Sequence, residues 1–232
     1  MSETRTIERD GAAHELVSDG NGGTRPGVII FPTVMGISDL ERGFAERLFG
    51  QGYLVLLADL YGRRFTPDER DEAVAAMQSL RADRAALRNR LLAVLGAAIE
   101  QDEIDDERVA AIGFCFGGQN ALDLARSGAD IAGVASFHGL FDPPGLAAGP
   151  IKAKVAAYHG WDDPLVAPDA VVALASELTA AGCDWQIHAF GHVGHGFTNP
   201  GATGAMPGIK FDERTARRAW ALCDAFLEEC FA

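Results

Sequence analysis

A chain of 232 residues, 48% hydrophobic and 23% charged, has the composition of a globular protein with ample core, and one domain spanning 1–232 is the expectation. Its formal net charge of −13 disfavours nucleic acid and anionic membranes as partners. The apolar runs are far too short to cross a bilayer, and Met1-Ser2-Glu3-Thr4-Arg5 lacks the basic and apolar regions of a secretory signal, so a cytoplasmic protein is expected.

In chain order, residues 1–27 are polar and glycine-rich. Asp19-Gly20-Asn21-Gly22-Gly23 predicts the turn of an N-terminal hairpin packed on a sheet edge. Val28-Ile29-Ile30-Phe31 is a continuous β-branched run of the kind buried on both faces of a parallel sheet. Ser38-Asp39-Leu40-Glu41 is a capping box opening a helix to about Phe49, and Tyr53 to Ala58 is the next buried strand. Helical spacing then runs from Asp68 to about Ile99 with a break near Arg81. Arg63, Arg64, Arg81, Arg84, Arg88 and Arg90 stand in this region, where a solvated helix face is the simpler expectation than an anion site.

Asp102 to Glu107 predicts an acidic turn, Arg108 to Gly113 a strand and Phe116 to Ser127 a helix. Ile131 to Phe137 and Lys154 to His159 are further strands, separated by a Gly/Pro-rich loop from His138 to Pro150. Pro168 to Ala181 is helical and closed by Gly182; a strand from Asp184 to Phe190 precedes a Gly-rich loop and a last helix from about Asp212 to Cys230. Strands alternating with helices imply an α/β fold with a doubly wound, mostly parallel sheet and helices on both faces.

Chemistry concentrates just after the strands. Gly113-Phe114-Cys115-Phe116-Gly117 joins a strand directly to a helix in the manner of a nucleophile elbow, with cysteine at its centre. Both flanking glycines are required there, because a side chain at either would collide with the neighbouring strand or helix. The Phe116 N–H, in the first turn of the new helix, would face an oxyanion, and the positive helix end would favour a thiolate. Two later segments supply an acid and a base: Gly160-Trp161-Asp162-Asp163-Pro164 and Gly191-His192-Val193-Gly194-His195-Gly196. Nucleophile, acid and histidine in that order, each at the end of a different strand, form a candidate triad. Asp163 is preferred to Asp162 because Pro164 fixes the turn after it, and His195 to His192 because glycines flank it. His138 and His159 also stand at strand ends, where hydrogen-bonded structural roles are the simpler expectation.

Gly113-Phe114-Cys115-Phe116-Gly117-Gly118, Ser136-Phe137-His138-Gly139, Asp59-Leu60-Tyr61-Gly62, Gly160-Trp161-Asp162-Asp163-Pro164-Leu165-Val166 and Gly194-His195-Gly196-Phe197 resemble the dienelactone hydrolase family. The likeness runs from Gly27 to the C-terminus. It implies an α/β-hydrolase fold and a Cys115-His195-Asp163 triad acting on a small ester or lactone through an acyl thioester; separately, a monomer or small homo-oligomer is expected. The resemblance further implies backbone oxyanion donors at Phe116 and Val34, and a substrate pocket containing Thr33, Met35, Tyr61, His138 and Trp161.

Two positions depart from the family. Thr33 stands where members that open dienelactones carry a glutamate, and Asn199 where they carry a pocket arginine. Neutral esters or lactones are the expected substrates, unless Arg63 or Arg81 supplies the missing cation. Neither a metal nor an organic cofactor is expected: the cysteines at 115, 183, 223 and 230 show no CxxC pair or Cys/His metal spacing and are taken as free thiols. A thiol-based redox sensor is the alternative, although it would want a resolving cysteine near Cys115.

Overall fold

The structure, a computed structural model, describes residues 2–21, 23–147 and 149–232. Its inner strands are apolar on both faces, and alternate residues enter two separate cores. Ile29, Phe31, Leu54 and Leu56 point into one, and Val28, Ile30, Val55 and Leu57 into the other. The elements run β1 (Glu3–Arg9), β2 (Ala12–Ser18), β3 (Arg25–Phe31), α1 (Asp39–Phe49), β4 (Leu54–Leu57), α2 (Arg70–Ala82) and α3 (Arg84–Ile99). They continue as β5 (Ile104–Phe114), α4 (Phe116–Arg126), β6 (Gly133–Phe137), β7 (Lys154–Gly160), α5 (Pro168–Ala181), β8 (Trp185–Phe190) and α6 (Glu213–Cys230).

Among the described residues the sheet has eight strands, in the order β1-β2-β4-β3-β5-β6-β7-β8. β1 and β2 pair antiparallel with each other, β2 pairs antiparallel with β4, and every other pair is parallel. The first core is closed by α3, α4 and α5, through residues such as Leu91, Leu122 and Leu174. The second is closed by α1 and α6, through Phe44, Leu48, Trp220 and Phe226. From β3 the chain crosses to β4 on one side, then returns to β5 on the other. The carboxyl ends of β3 and β5 therefore flank a topological switch point, the place where open α/β sheets bind ligands. Among the described residues no helix is long and apolar enough to cross a membrane.

Several local expectations hold. Ser38 caps α1 with the reciprocal Glu41 bond, Asp83 separates α2 from α3 and caps the latter, and Gly182 closes α5 in the left-handed region. Two do not. The hairpin turn is Asp10–Gly11 and not the segment beginning at Asp19, which instead joins β2 to β3; Gly22 of that segment lies outside the described residues. Arg9 pairs with Ala12 across a two-residue loop with φ of 50° and 77°, the doubly positive turn whose twist matches an antiparallel pair. The acidic stretch from Asp102 is likewise only partly a turn. Ile104 buries its side chain and starts β5, with Arg25 as its partner on β3.

Candidate active site

At the end of β5 the chain turns into α4 through Cys115, which adopts φ 57° and ψ −116°. That conformation is strained for a side-chain-bearing residue, and it persists because its surroundings hold it. The Cys115 N–H donates to Phe137 O of β6 at 3.0 Å, and its carbonyl accepts from Gly118 N at 3.0 Å. A Cβ on Gly113 would lie 1.9 Å from Gly117 O, and one on Gly117 would lie 2.0 Å from Phe31 O of β3. Both glycines of the motif are thus sterically required. Phe116 opens α4, so its N–H has no intrahelical acceptor.

The second and third elements of the site come from β7 and β8. Asp163 follows β7 and is buried, with Oδ1 accepting from Leu165 N at 2.8 Å and Oδ2 bonded to His195 Nδ1 at 2.8 Å. His195 lies in the loop after β8, buried. Its backbone is held by a bond from its N–H to Gly208 O at 2.8 Å. A Cβ on Gly194 would sit 2.0 Å from Gly208 O, and Gly196 takes φ 69°, so the glycines on both sides of His195 are structural necessities. His192 is fully exposed and approaches Asp162, at 3.8 Å.

Burial alone would raise the Cys115 thiol, but the facing His195 imidazole and the adjacent Phe116 N–H outweigh it and bring the thiol below its ordinary range. His195 moves the other way: burial favours its neutral form, yet the Cys115 sulfur and the Asp163 carboxylate hold its proton well above the usual value. The thiol is thus shifted toward its charged form and the imidazole toward its protonated one, while among the described residues His195 Nε2 has no hydrogen-bond partner. His138 packs edge-on against His195 with ring centroids 5.0 Å apart. Burial and the His195 charge keep His138 neutral, and its Nε2 is bonded to Thr198 Oγ1 at 2.8 Å.

Cys115 and His195 open on a cavity of about 240 Å³. Of the residues expected to line it, Thr33, Met35 and His138 do so, as do Val34 and Asn199. Tyr61 does not reach the cavity; it stands behind it, stacked on Phe116 and donating from its hydroxyl to Val34 O at 3.1 Å. Trp161 is 41% exposed and lies outside. The turn that begins after Gly160 ends the strand's inward–outward alternation, so residue 161 does not share the inward direction of Asp163.

None of the arginines named from the sequence lines this cavity: Arg63 pairs with Glu69, Arg81 with Asp142, Arg84 with Asp123 and Asp142, Arg64 with Asp59, and Arg90 donates to Leu60 O. The cation at the cavity is Arg70, at the start of α2. Among the described residues its guanidinium meets the Met206 sulfur, at 3.7 Å, in preference to a carboxylate. No sequence signal marks Arg70, because its access to Cys115 depends on how the loop after β4 folds back over the sheet. The expectation of a pocket without an arginine is corrected accordingly. Among the described residues no group of three or more His, Cys, Asp or Glu side chains is arranged to hold a metal.

The dienelactone hydrolase family model matches residues 15–231. Two solved structures share the fold over 100% of this chain and 99% of their own. One, m3DLH, is 36% identical with a TM-score of 0.91. The other, the dienelactone hydrolase-like promiscuous phosphotriesterase P91 from metagenomic libraries, is 34% identical with a TM-score of 0.91. A Caenorhabditis elegans protein, K02A2.1, is 34% identical over 152 residues, which are 63% of this chain and 95% of that protein. With a family match from β2 to the last residues, and an elbow, acid and histidine carried at the ends of β5, β7 and β8, the chain has the α/β-hydrolase fold and belongs to the dienelactone hydrolase family of hydrolases.

Proposed function

We propose that this hydrolase cleaves a small ester or lactone with Cys115 as nucleophile, His195 as base and Asp163 as its orienting acid. The observation that supports the reading is the 2.8 Å bond from Asp163 Oδ2 to His195 Nδ1, which leaves His195 Nε2 unpartnered on the wall of the cavity that Cys115 also lines. In this mechanism the proton of Cys115 resides on His195, and the thiolate adds to the substrate carbonyl. The displaced electron pair moves onto the carbonyl oxygen, where the N–H groups of Phe116 and Val34 receive it. Collapse breaks the bond to the leaving oxygen, which takes the proton from His195, and leaves an acyl thioester. Neutral His195 then removes a proton from water as it attacks the thioester, and a second collapse breaks the carbon–sulfur bond, releasing the acid and restoring the thiolate with its proton on His195. Asp163 holds the ring in the required tautomer and stabilises its charged form.

Arg70 at the cavity favours substrates that carry an anionic group away from the scissile bond. A second reading concerns phosphotriesters, and it is favoured by the 34% identical neighbour described as a promiscuous phosphotriesterase. The same thiolate and backbone donors suit attack on a neutral phosphorus centre. Mass spectrometry of the protein quenched during turnover of a p-nitrophenyl ester tests the primary reading: an acyl adduct on the peptide holding Cys115 is expected. Turnover with the adduct elsewhere, or turnover surviving in Cys115→Ala, overturns it. The same assay on paraoxon tests the second.

A further inference from the structure

Glu41 does two things with one carboxylate. It is fully buried, and each of its oxygens accepts two hydrogen bonds. Oε2 takes the N–H of Ser38, at 3.0 Å, and the Ser38 hydroxyl; Oε1 takes the N–H of Thr33, at 3.1 Å, and the Thr33 hydroxyl, at 3.0 Å. The Ser38 half is a capping box, and helix chemistry accounts for it. A capping box needs only one carboxylate oxygen, and the other is ordinarily left to water. Here the second oxygen reaches out of the helix to a residue eight positions upstream, in the loop that lines the Cys115 cavity.

The Thr33–Val34 peptide is what this contact orients. Thr33 is anchored at its N–H and hydroxyl by Glu41, and its carbonyl accepts from Gly36 N at 3.0 Å to close a turn over Val34 and Met35. In a trans peptide the carbonyl and the following N–H point in opposite directions, so a carbonyl fixed toward Gly36 aims the Val34 N–H out of the turn. On the other side of Val34 its own carbonyl is held by the Tyr61 hydroxyl at 3.1 Å. The loop is clamped before and after the one N–H that matters.

We infer that Glu41 is a positioning residue for the oxyanion site: acting through Thr33, its buried carboxylate keeps the Val34 N–H aimed at the place where the substrate oxygen gains charge. The inference rests on the reading of Val34 and Phe116 as oxyanion donors and of Cys115 as nucleophile. Because the donor strengthens its bond only as charge develops, a misaimed Val34 N–H should cost turnover and leave ground-state binding untouched.

The experiment measures kcat and KM for a neutral p-nitrophenyl ester, the inhibition constant of an alkyl trifluoromethyl ketone, and Tm, for the parent and E41Q, T33V, T33S and S38A. The ketone reports on the oxyanion site directly: the Cys115 sulfur bonds to its carbonyl carbon, the π pair moves to oxygen, and nothing leaves. Losing a full oxyanion donor costs about 10²–10³ in kcat, and a misaimed donor should cost about ten- to a hundredfold. That loss is expected for E41Q and T33V, with KM unchanged and ketone inhibition weakened by the same factor. T33S, which keeps the hydroxyl, should recover most of what T33V loses. S38A should lower Tm without touching kcat. If E41Q and T33V lower only Tm, or lower kcat while ketone inhibition stays at the parent value, Glu41 is a helix cap and the inference falls. Should E41Q fail to fold, T33V against T33S decides the matter alone. Hydrolysis that survives Cys115→Ala overturns the nucleophile assignment; Cys115-dependent hydrolysis indifferent to E41Q and T33V overturns only the role of Glu41.

Discussion

Cys115 and Cys223 are the same residue in two environments, and the contrast shows what makes a thiol reactive. Cys223 faces the core between the sheet and α6, fully buried, and burial with the nearby Asp224 carboxylate pushes its thiol far up. Cys183 and Cys230 are raised as well, burial again being the first cause. Cys115 is desolvated too, yet its thiol is lowered, because the His195 imidazole and the Phe116 N–H at a helix start face it. Position relative to two dipolar groups, not burial, sets the difference.

The largest expected break in this comparison comes from deletion. Cys115→Ala and His195→Ala should each lower kcat for an activated ester by about 10³-fold or more, and Asp163→Asn by somewhat less, because members of such a unit fail together. His192→Ala and Asp162→Asn, on the exposed side of the same loops, should change kcat by less than about twofold, surface changes of this kind being close to neutral. Cys223→Ala should do the reverse of Cys115→Ala, keeping kcat while lowering unfolding free energy by about 1–2 kcal/mol in urea titration.

A smaller effect separates the thiols by pH. A cysteine whose pKa is lowered stays thiolate as pH falls below the ordinary range of about 8.5, and loses its nucleophilicity only as pH drops through the lowered value. Thiols that are raised remain protonated until pH climbs above that range. Iodoacetamide at pH 6.5 should therefore label the Cys115 peptide of the native protein and leave those of Cys183, Cys223 and Cys230 unlabelled. Uniform labelling would mean that the His195–Cys115 pair does not hold a thiolate.

The smallest effect belongs to Arg70. A cation at an exposed cavity rim contributes about 1 kcal/mol to holding an anion, or roughly fivefold in kcat/KM. Arg70→Ala should reduce kcat/KM by about that factor for a carboxylate-bearing lactone and leave its neutral analogue alone. The ratio should shrink further at high salt, as screening removes it.

Glycines, caps and the alternation of strand with helix were legible in the sequence because each is a local matter. Gly113 is dictated by the Gly117 carbonyl four residues on and Gly117 by the strand beside the elbow, while Ser38 opens α1 and Gly182 closes α5 through bonds that span three residues or fewer. The same locality explains the misplaced hairpin turn: Asp10–Gly11 and the Asp19 segment are both good turn sequences, and only the pairing of β1 with β2 selects between them. What tertiary structure alone decided were the contacts between distant segments. Arg63 and Arg81 were captured by Glu69 and Asp142 while Arg70 reached the cavity, Trp161 turned outward, and the second oxygen of the Glu41 cap was spent on Thr33. Periodicity and spacing specify which way the backbone runs; which of several equal charges reaches a site depends on how loops after different strands fold over one sheet edge, and no single stretch of sequence carries that.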